Sequence, residues 1–180
     1  MIYMLLADGF EEVEALCPLD LLRRAGLPIQ TVSVGRSLVK GAHGIAVQAD
    51  LTPEAVKETP EMLVLPGGMP GTLNLDASPL TDCLLQAVIA NGGRIAAICA
   101  APLILGRRGL LKGKRAVCYP GFEDELVGAE IPNTSVVTDG LITTAVGMGV
   151  ACEFGLELIS LLTTPEKAAQ IADAIRYEKH

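Results

Sequence analysis

Short, unbroken apolar runs recur along the chain, and most are followed by a stretch with helical spacing. The runs at 2–7, 61–66 and 94–98 each hold at least four consecutive apolar residues rather than one at every second position, so they predict strands buried on both faces, and 29–34, in which Gln30, Thr31 and Ser33 interrupt the apolar residues, predicts a further strand. Segments 11–25, 80–91, 100–107 and 149–162 repeat apolar residues at helical intervals and predict helices. A last helix starts at Pro165, with Thr164 as its N-cap and the proline in the first turn, where a missing N–H costs nothing. Region 38–49 reads as a hairpin, 115–118 as a further strand, 123–127 as a short helix, and 135–137 and 141–144 as two more strands. This alternation predicts an α/β fold, a mostly parallel sheet with helices on both faces, as a single domain over 1–180. Ligands of such sheets bind in the crevice outside the strand C-termini.

Composition narrows the function. Half of the 180 residues are hydrophobic and tryptophan is absent, so Leu, Ile, Val and Ala must build the core. A net charge of −7 argues against a nucleic-acid partner or an anionic membrane surface, both of which demand clustered Lys and Arg. The apolar start has no basic residues before it and meets Asp8 at once, which reads as a strand rather than a signal peptide. No apolar stretch reaches the ~20 residues of a membrane span. The five cysteines (17, 83, 99, 118 and 152) show no Cys-x-x-Cys spacing, so a reducing, cytoplasmic compartment is expected.

Cys99 stands apart from the other four. The apolar run 94–98 leads straight into it, and Ala100-Ala101-Pro102 then opens a helix, so the thiol is expected at a strand-to-helix turn. Unpaired N–H groups and the helix dipole there favour negative charge, which predicts a lowered thiol pKa. Gly67-Gly68 ends the strand over 61–66, where its amides are placed to point at a ligand oxygen or simply form a turn.

Glu11 and Glu12 at the start of the first helix read as solvated carboxylates favoured by the dipole. Glu14 lies beside the apolar stripe of Val13, Leu16, Cys17 and Leu21 and has two readings, a solvated carboxylate or one turned inward. Turned inward, it would be protonated and donate a hydrogen bond to the cysteine sulfur. Tyr119 follows the run 115–118 and either edges the same pocket or belongs to a plain turn. Of the two histidines, His43 lies in an exposed turn and His180 is the last residue, so neither a Cys–His base nor a zinc spacing is evident. Gly-x-Gly-x-x-Gly and P-loop patterns are missing, which removes the two commonest phosphate fingerprints of such sheets.

Asp8-Gly9-Phe10-Glu11-Glu12-Val13-Glu14, Leu21-Leu22-Arg23-Arg24-Ala25-Gly26, Val64-Leu65-Pro66-Gly67-Gly68, Ala96 to Pro102, Gly147-Met148-Gly149 and Glu153-Phe154 together resemble the ThiJ/PfpI superfamily. Within it, they are most similar to the parkinsonism-associated deglycase (DJ-one) branch. The resemblance spans nearly the whole chain. It implies a flavodoxin-like three-layer sandwich, a homodimer, Cys99 as nucleophile, Glu14 as its protonated partner, and the amides near Gly68 and Ala100 as an oxyanion-binding pair. Three positions depart from the pattern. Tyr119 stands where many members of the branch carry a histidine, Ala100 where the protease-like branch has one, and Val146 where an arginine is common.

The resemblance further implies cofactor-independent glyoxalase or deglycase chemistry on a small carbonyl substrate, namely methylglyoxal-like α-oxoaldehydes or their thiol and amine adducts. The alternative it leaves open is an oxidative-stress sensor in which Cys99 is oxidised to a sulfinate without turnover.

Overall fold

The computed structural model describes residues 1–178, so the expectation for His180 lies outside the described residues. The elements run β1 (Ile2–Leu6), α1 (Glu12–Arg24), β2 (Ile29–Ser33), β3 (Leu38–Lys40), β4 (Ala46–Gln48), β5 (Met62–Leu65), α2 (Gly71–Asp76), α3 (Pro79–Ala90), β6 (Arg94–Ile98) and α4 (Pro102–Arg107). They continue with β7 (Val136–Asp139), β8 (Ile142–Ala145), α5 (Ala151–Leu162) and α6 (Pro165–Ala174). Six strands form one sheet in the order β2-β1-β5-β6-β8-β7, parallel except where β7 runs antiparallel to β8. β3 and β4 form a separate antiparallel hairpin.

Both faces of the sheet are covered, which explains why its strands read as continuous apolar runs. Along β1, Ile2, Met4 and Leu6 point into a core shared with Ala15, Leu19 and Leu22 of α1, Phe154 and Leu158 of α5 and Ile171 of α6. The intervening Tyr3 and Leu5 point the other way, into a core with Leu75 of α2, Leu84 and Val88 of α3 and Leu103 to Leu105 of α4. The result is the flavodoxin-like three-layer arrangement.

The order of strand addition reverses at β1, because β2 is laid on one side of it and β5 on the other, all three parallel. The C-terminal loops of β1, β5 and β6 therefore open at one place, the position expected for a ligand crevice.

Several local expectations change. Segment 115–118 is not a sheet strand: Arg115 makes only an isolated parallel bridge to Glu130, and Ala116, Val117 and Cys118 are apolar because they are buried by packing. The helix expected over 123–127 is a single 3₁₀ turn, Glu123–Glu125. Helix α2 is not evident in the sequence, because Pro70-Gly71 at its start reads as a turn. Among the described residues, no helix is long and apolar enough to cross a membrane.

Candidate active site

The site is assembled from three strand ends. β6 delivers Cys99, whose φ of 65° lies in the left-handed region that costs a non-glycine residue about 1–3 kcal/mol. Two backbone hydrogen bonds hold it there: its N–H donates to the Ala145 carbonyl at 2.8 Å, and its carbonyl accepts from the Tyr119 N–H at 2.8 Å. The strained turn swings the thiol out of the sheet toward α1 instead of continuing the strand. α4 begins only at Pro102, so Cys99 precedes the helix by a turn.

α1 supplies Glu14. Glu11 caps this helix, its carboxylate accepting from the Glu14 N–H at 2.7 Å, which fixes where the helix starts and which way Glu14 points. Glu14 is only 1 % exposed, and its side chain is hydrogen-bonded to that of Cys99. The Gly67 N–H donates to Glu14 Oε2 at 3.0 Å, and the Met148 N–H donates to the same carboxyl. The inward reading of Glu14 is the one the fold adopts.

β5 ends at the glycine pair, and sterics explain both residues. A Cβ on Gly67 would lie 2.6 Å from Cys99 Cβ, 2.6 Å from Glu14 Oε2 and 2.9 Å from the Ile98 carbonyl oxygen. Gly68 has a φ of +91°, and a Cβ there would run into the Glu11 backbone nitrogen. The amides of Gly68 and Ala100 both donate toward the Cys99 sulfur. Gly67→Ala is therefore expected to force Cys99 and Glu14 apart. We expect thermal unfolding to register a loss of about 1–3 kcal/mol, and alkylation of Cys99 to lose the pH dependence set by Glu14.

Charge is what the pair must share. Burial pushes Glu14 up to about 7, outweighing the hydrogen bonds from Cys99, Gly67 and Met148, with nearby Glu11 raising it further. Burial and the Glu14 carboxylate push the Cys99 thiol up to about 12, against the pull of the Ala100 and Gly68 amides. This corrects the expectation of a lowered thiol pKa. Two acidic groups in contact in a poorly hydrated spot resist holding two negative charges, so above about pH 7 they carry one between them.

Tyr119 is placed at the rim. Its side chain is half exposed, and its ring edge lies 3.3 Å from where a Cβ on Gly147 would be, with Glu14 Oε1 3.8 Å from that same point. Glu11 and Glu12 are not solvated, contrary to expectation, because the β3–β4 hairpin folds across the start of α1. Glu12 accepts from the His43 N–H at 2.8 Å and contacts His43 Nδ1 at 2.9 Å. Burial opposes its ionisation, but these hydrogen bonds prevail and lower its pKa. Glu11, Glu12 and His43 bring ligand-type atoms within 4.8 Å of one another, yet Glu12 is already occupied in pinning the hairpin. A surface cavity of about 800 Å³, lined by Asp8, Arg36, Lys40 and Met69 among others, lies beside this corner but leaves Cys99 and Glu14 outside.

Sequence and structure comparisons identify the family. The model of the DJ-1/PfpI family matches residues 1–161. The chain belongs to the DJ-1/PfpI family. It is 32 % identical over 163 residues to the glutathione-independent glyoxalase DJR-1.2 of Caenorhabditis elegans, covering 89 % of this chain and 87 % of that protein. It is 34 % identical over 143 residues to the deglycase PH1704 of Pyrococcus horikoshii, covering 77 % of this chain and 85 % of the other. The solved structure of oxidized Toxoplasma gondii DJ-1 superposes with a TM-score of 0.95 at 37 % identity, covering 99 % of this chain and 98 % of that one. Enzymes named as glyoxalase and deglycase thus occur among the chain's family relatives.

The Met148 amide is the site contact that sequence reasoning missed. Gly147-Met148-Gly149 follows β8, another strand end on the same side of the sheet, and that position was the available signal.

Proposed function

We propose that this chain is a cysteine-dependent, cofactor-independent enzyme of the glyoxalase/deglycase type, acting on methylglyoxal-like α-oxoaldehydes or their thiol and amine adducts. The observation that carries the reading is the buried contact of Glu14 with Cys99, flanked by the Gly68 and Ala100 amides. A nucleophile, a proton carrier and two oxyanion donors meet at one point, and acyl or carbonyl transfer needs those three functions.

The steps balance without an external oxidant. Cys99 thiolate attacks the aldehyde carbon, forming a C–S bond and an alkoxide that the Gly68 and Ala100 amides stabilise. Protonated Glu14 gives its proton to that oxygen. The resulting carboxylate removes the C–H proton of the hemithioacetal, and an enediol forms. Returning that proton to the adjacent carbon yields a hydroxy thioester. Water hydrolyses the thioester, releasing the hydroxy acid and restoring the thiol. In an amine or thiol adduct that carbon already carries a hydroxyl and the adduct's nitrogen or sulfur, so the Cys99 C–S bond forms as the adduct's C–N or C–S bond breaks, protonated Glu14 gives its proton to the departing group, and the same hemithioacetal results. The proton steps of this sequence are assigned to Glu14, whose side chain is in contact with Cys99. A homodimer is part of the same proposal.

Methylglyoxal loss and lactate formation without glutathione test the reading. It requires many equivalents of lactate per chain. A single equivalent of consumed aldehyde with no lactate would instead favour the sensor, whose mark is selective oxidation of Cys99 to a sulfinate.

A further inference from the structure

Away from the carbonyl site, a second pair of sulfurs meets between two helices. Cys17 on α1 and Cys152 on α5 approach to 3.3 Å between sulfurs, and both are half-buried. Their meeting follows from how closely these helices pack. A Cβ added to Gly155 on α5 would lie 2.8 Å from Leu21 Cδ1 and 3.1 Å from Pro18 Cα on α1, so backbone nearly touches side chain one turn from the cysteines. A disulfide has an S–S length of about 2.0 Å. Forming the bond brings the two sulfurs about 1.3 Å closer than their present 3.3 Å.

We propose that Cys17 and Cys152 are a redox site that closes into a reversible intrachain disulfide when the protein meets a peroxide. Burial and contact with Cys152 push the Cys17 thiol up to about 12, so Cys17 stays protonated in the resting pair. Cys152 sulfur attacks the O–O bond, giving a sulfenic acid and one water. Cys17 sulfur then displaces the hydroxyl from the sulfenic sulfur, which leaves with the Cys17 proton as a second water. The two sulfurs lose two electrons, and the peroxide gains them. Small thiols reverse the bond by exchange.

The position of the pair gives the bond a consequence. Cys17 lies one turn beyond Glu14 on α1, and Cys152 lies four residues beyond Met148, whose amide donates to Glu14. The disulfide therefore staples together the two segments that meet at the Glu14 carboxyl. This inference is independent of the chemistry proposed for Cys99.

The test uses the full chain carrying Cys99→Ser, which removes the competing thiol. The protein is exposed to hydrogen peroxide, alkylated, and examined by intact mass, peptide mapping and a non-reducing gel. The expected result is a peptide linking 17 to 152 within one chain at monomer mobility, with Tm raised on the order of 5–10 °C. Dithiothreitol should reverse the shift, and adding Cys17→Ser or Cys152→Ser should abolish it. Because the linked peptide is read on protein that retains both cysteines, misfolding of either serine variant leaves the test intact. Sulfinic or sulfonic acid on Cys152 with Cys17 still open to alkylation would overturn the inference. So would a 17–152 link found only between two chains.

Discussion

Cys99→Ser is expected to reduce α-oxoaldehyde turnover by on the order of 10³-fold or more, with the fold intact. Serine matches cysteine in shape, and the backbone bonds from Ala145 and Tyr119 that hold the φ of 65° do not involve the side chain. What is lost is the nucleophile. A serine hydroxyl gives up its proton far less readily than a thiol, and a Glu14 carboxylate with a pKa of about 7 leaves it protonated at rest. Initial rates and a urea melt at matched concentration check both halves of the expectation. Undiminished turnover would remove Cys99 from the chemistry, whereas a collapsed melt would make its role structural.

Glu14→Gln is expected to separate nucleophilicity from proton transfer. Glutamine keeps the shape and donates to sulfur, but it neither carries a negative charge nor moves a proton. Without the carboxylate, one of the two main influences that raise the Cys99 thiol disappears, and only burial remains against the Ala100 and Gly68 amides. Alkylation of Cys99 at neutral pH should therefore match or exceed wild type. Turnover should fall by about 10²–10⁴-fold, because the hydrogen shift through the enediol has lost its carrier. A loss of both together would mean that Glu14 only shapes the pocket.

The same substitution should change how stability depends on pH. Folded Glu14 keeps its proton to about 7, whereas the ordinary value is 4.5. Between those values the folded state binds the extra proton, so stability is greatest below about 4.5 and falls as pH rises toward 7. The fall attributable to this group is about 3 kcal/mol at most. Urea melts at pH 5 and 7.5 should show Glu14→Gln lacking that decline.

The sheet was legible in the sequence because its strands are buried on both faces, so β1, β5 and β6 appear as unbroken apolar runs bounded by turn residues. Cys99 was legible for the same reason: a strand ends on it and a proline follows two residues after Ala100. Glu14 was only half legible. Its helix was evident, but spacing alone does not say whether a first-turn carboxylate faces solvent or core, and the family resemblance decided what periodicity left open.

Other features depend on contacts between distant segments. Glu12 and His43 are 31 positions apart, and only the hairpin crossing over α1 brings them together. Segment 115–118 carries a strand's composition without a strand's ladder, because burial alone selects apolar residues there. The raised thiol of Cys99 depends on how close Glu14 lies and how little water reaches both. The helix-end argument captures neither quantity.

The most direct test of a single charge shared by Cys99 and Glu14 is the pH dependence of kcat/KM for methylglyoxal from pH 5 to 9. A rise through a midpoint near 7, as the pair loses its first proton, is the predicted result. A flat profile across this range would show that ionisation of this pair does not generate the nucleophile.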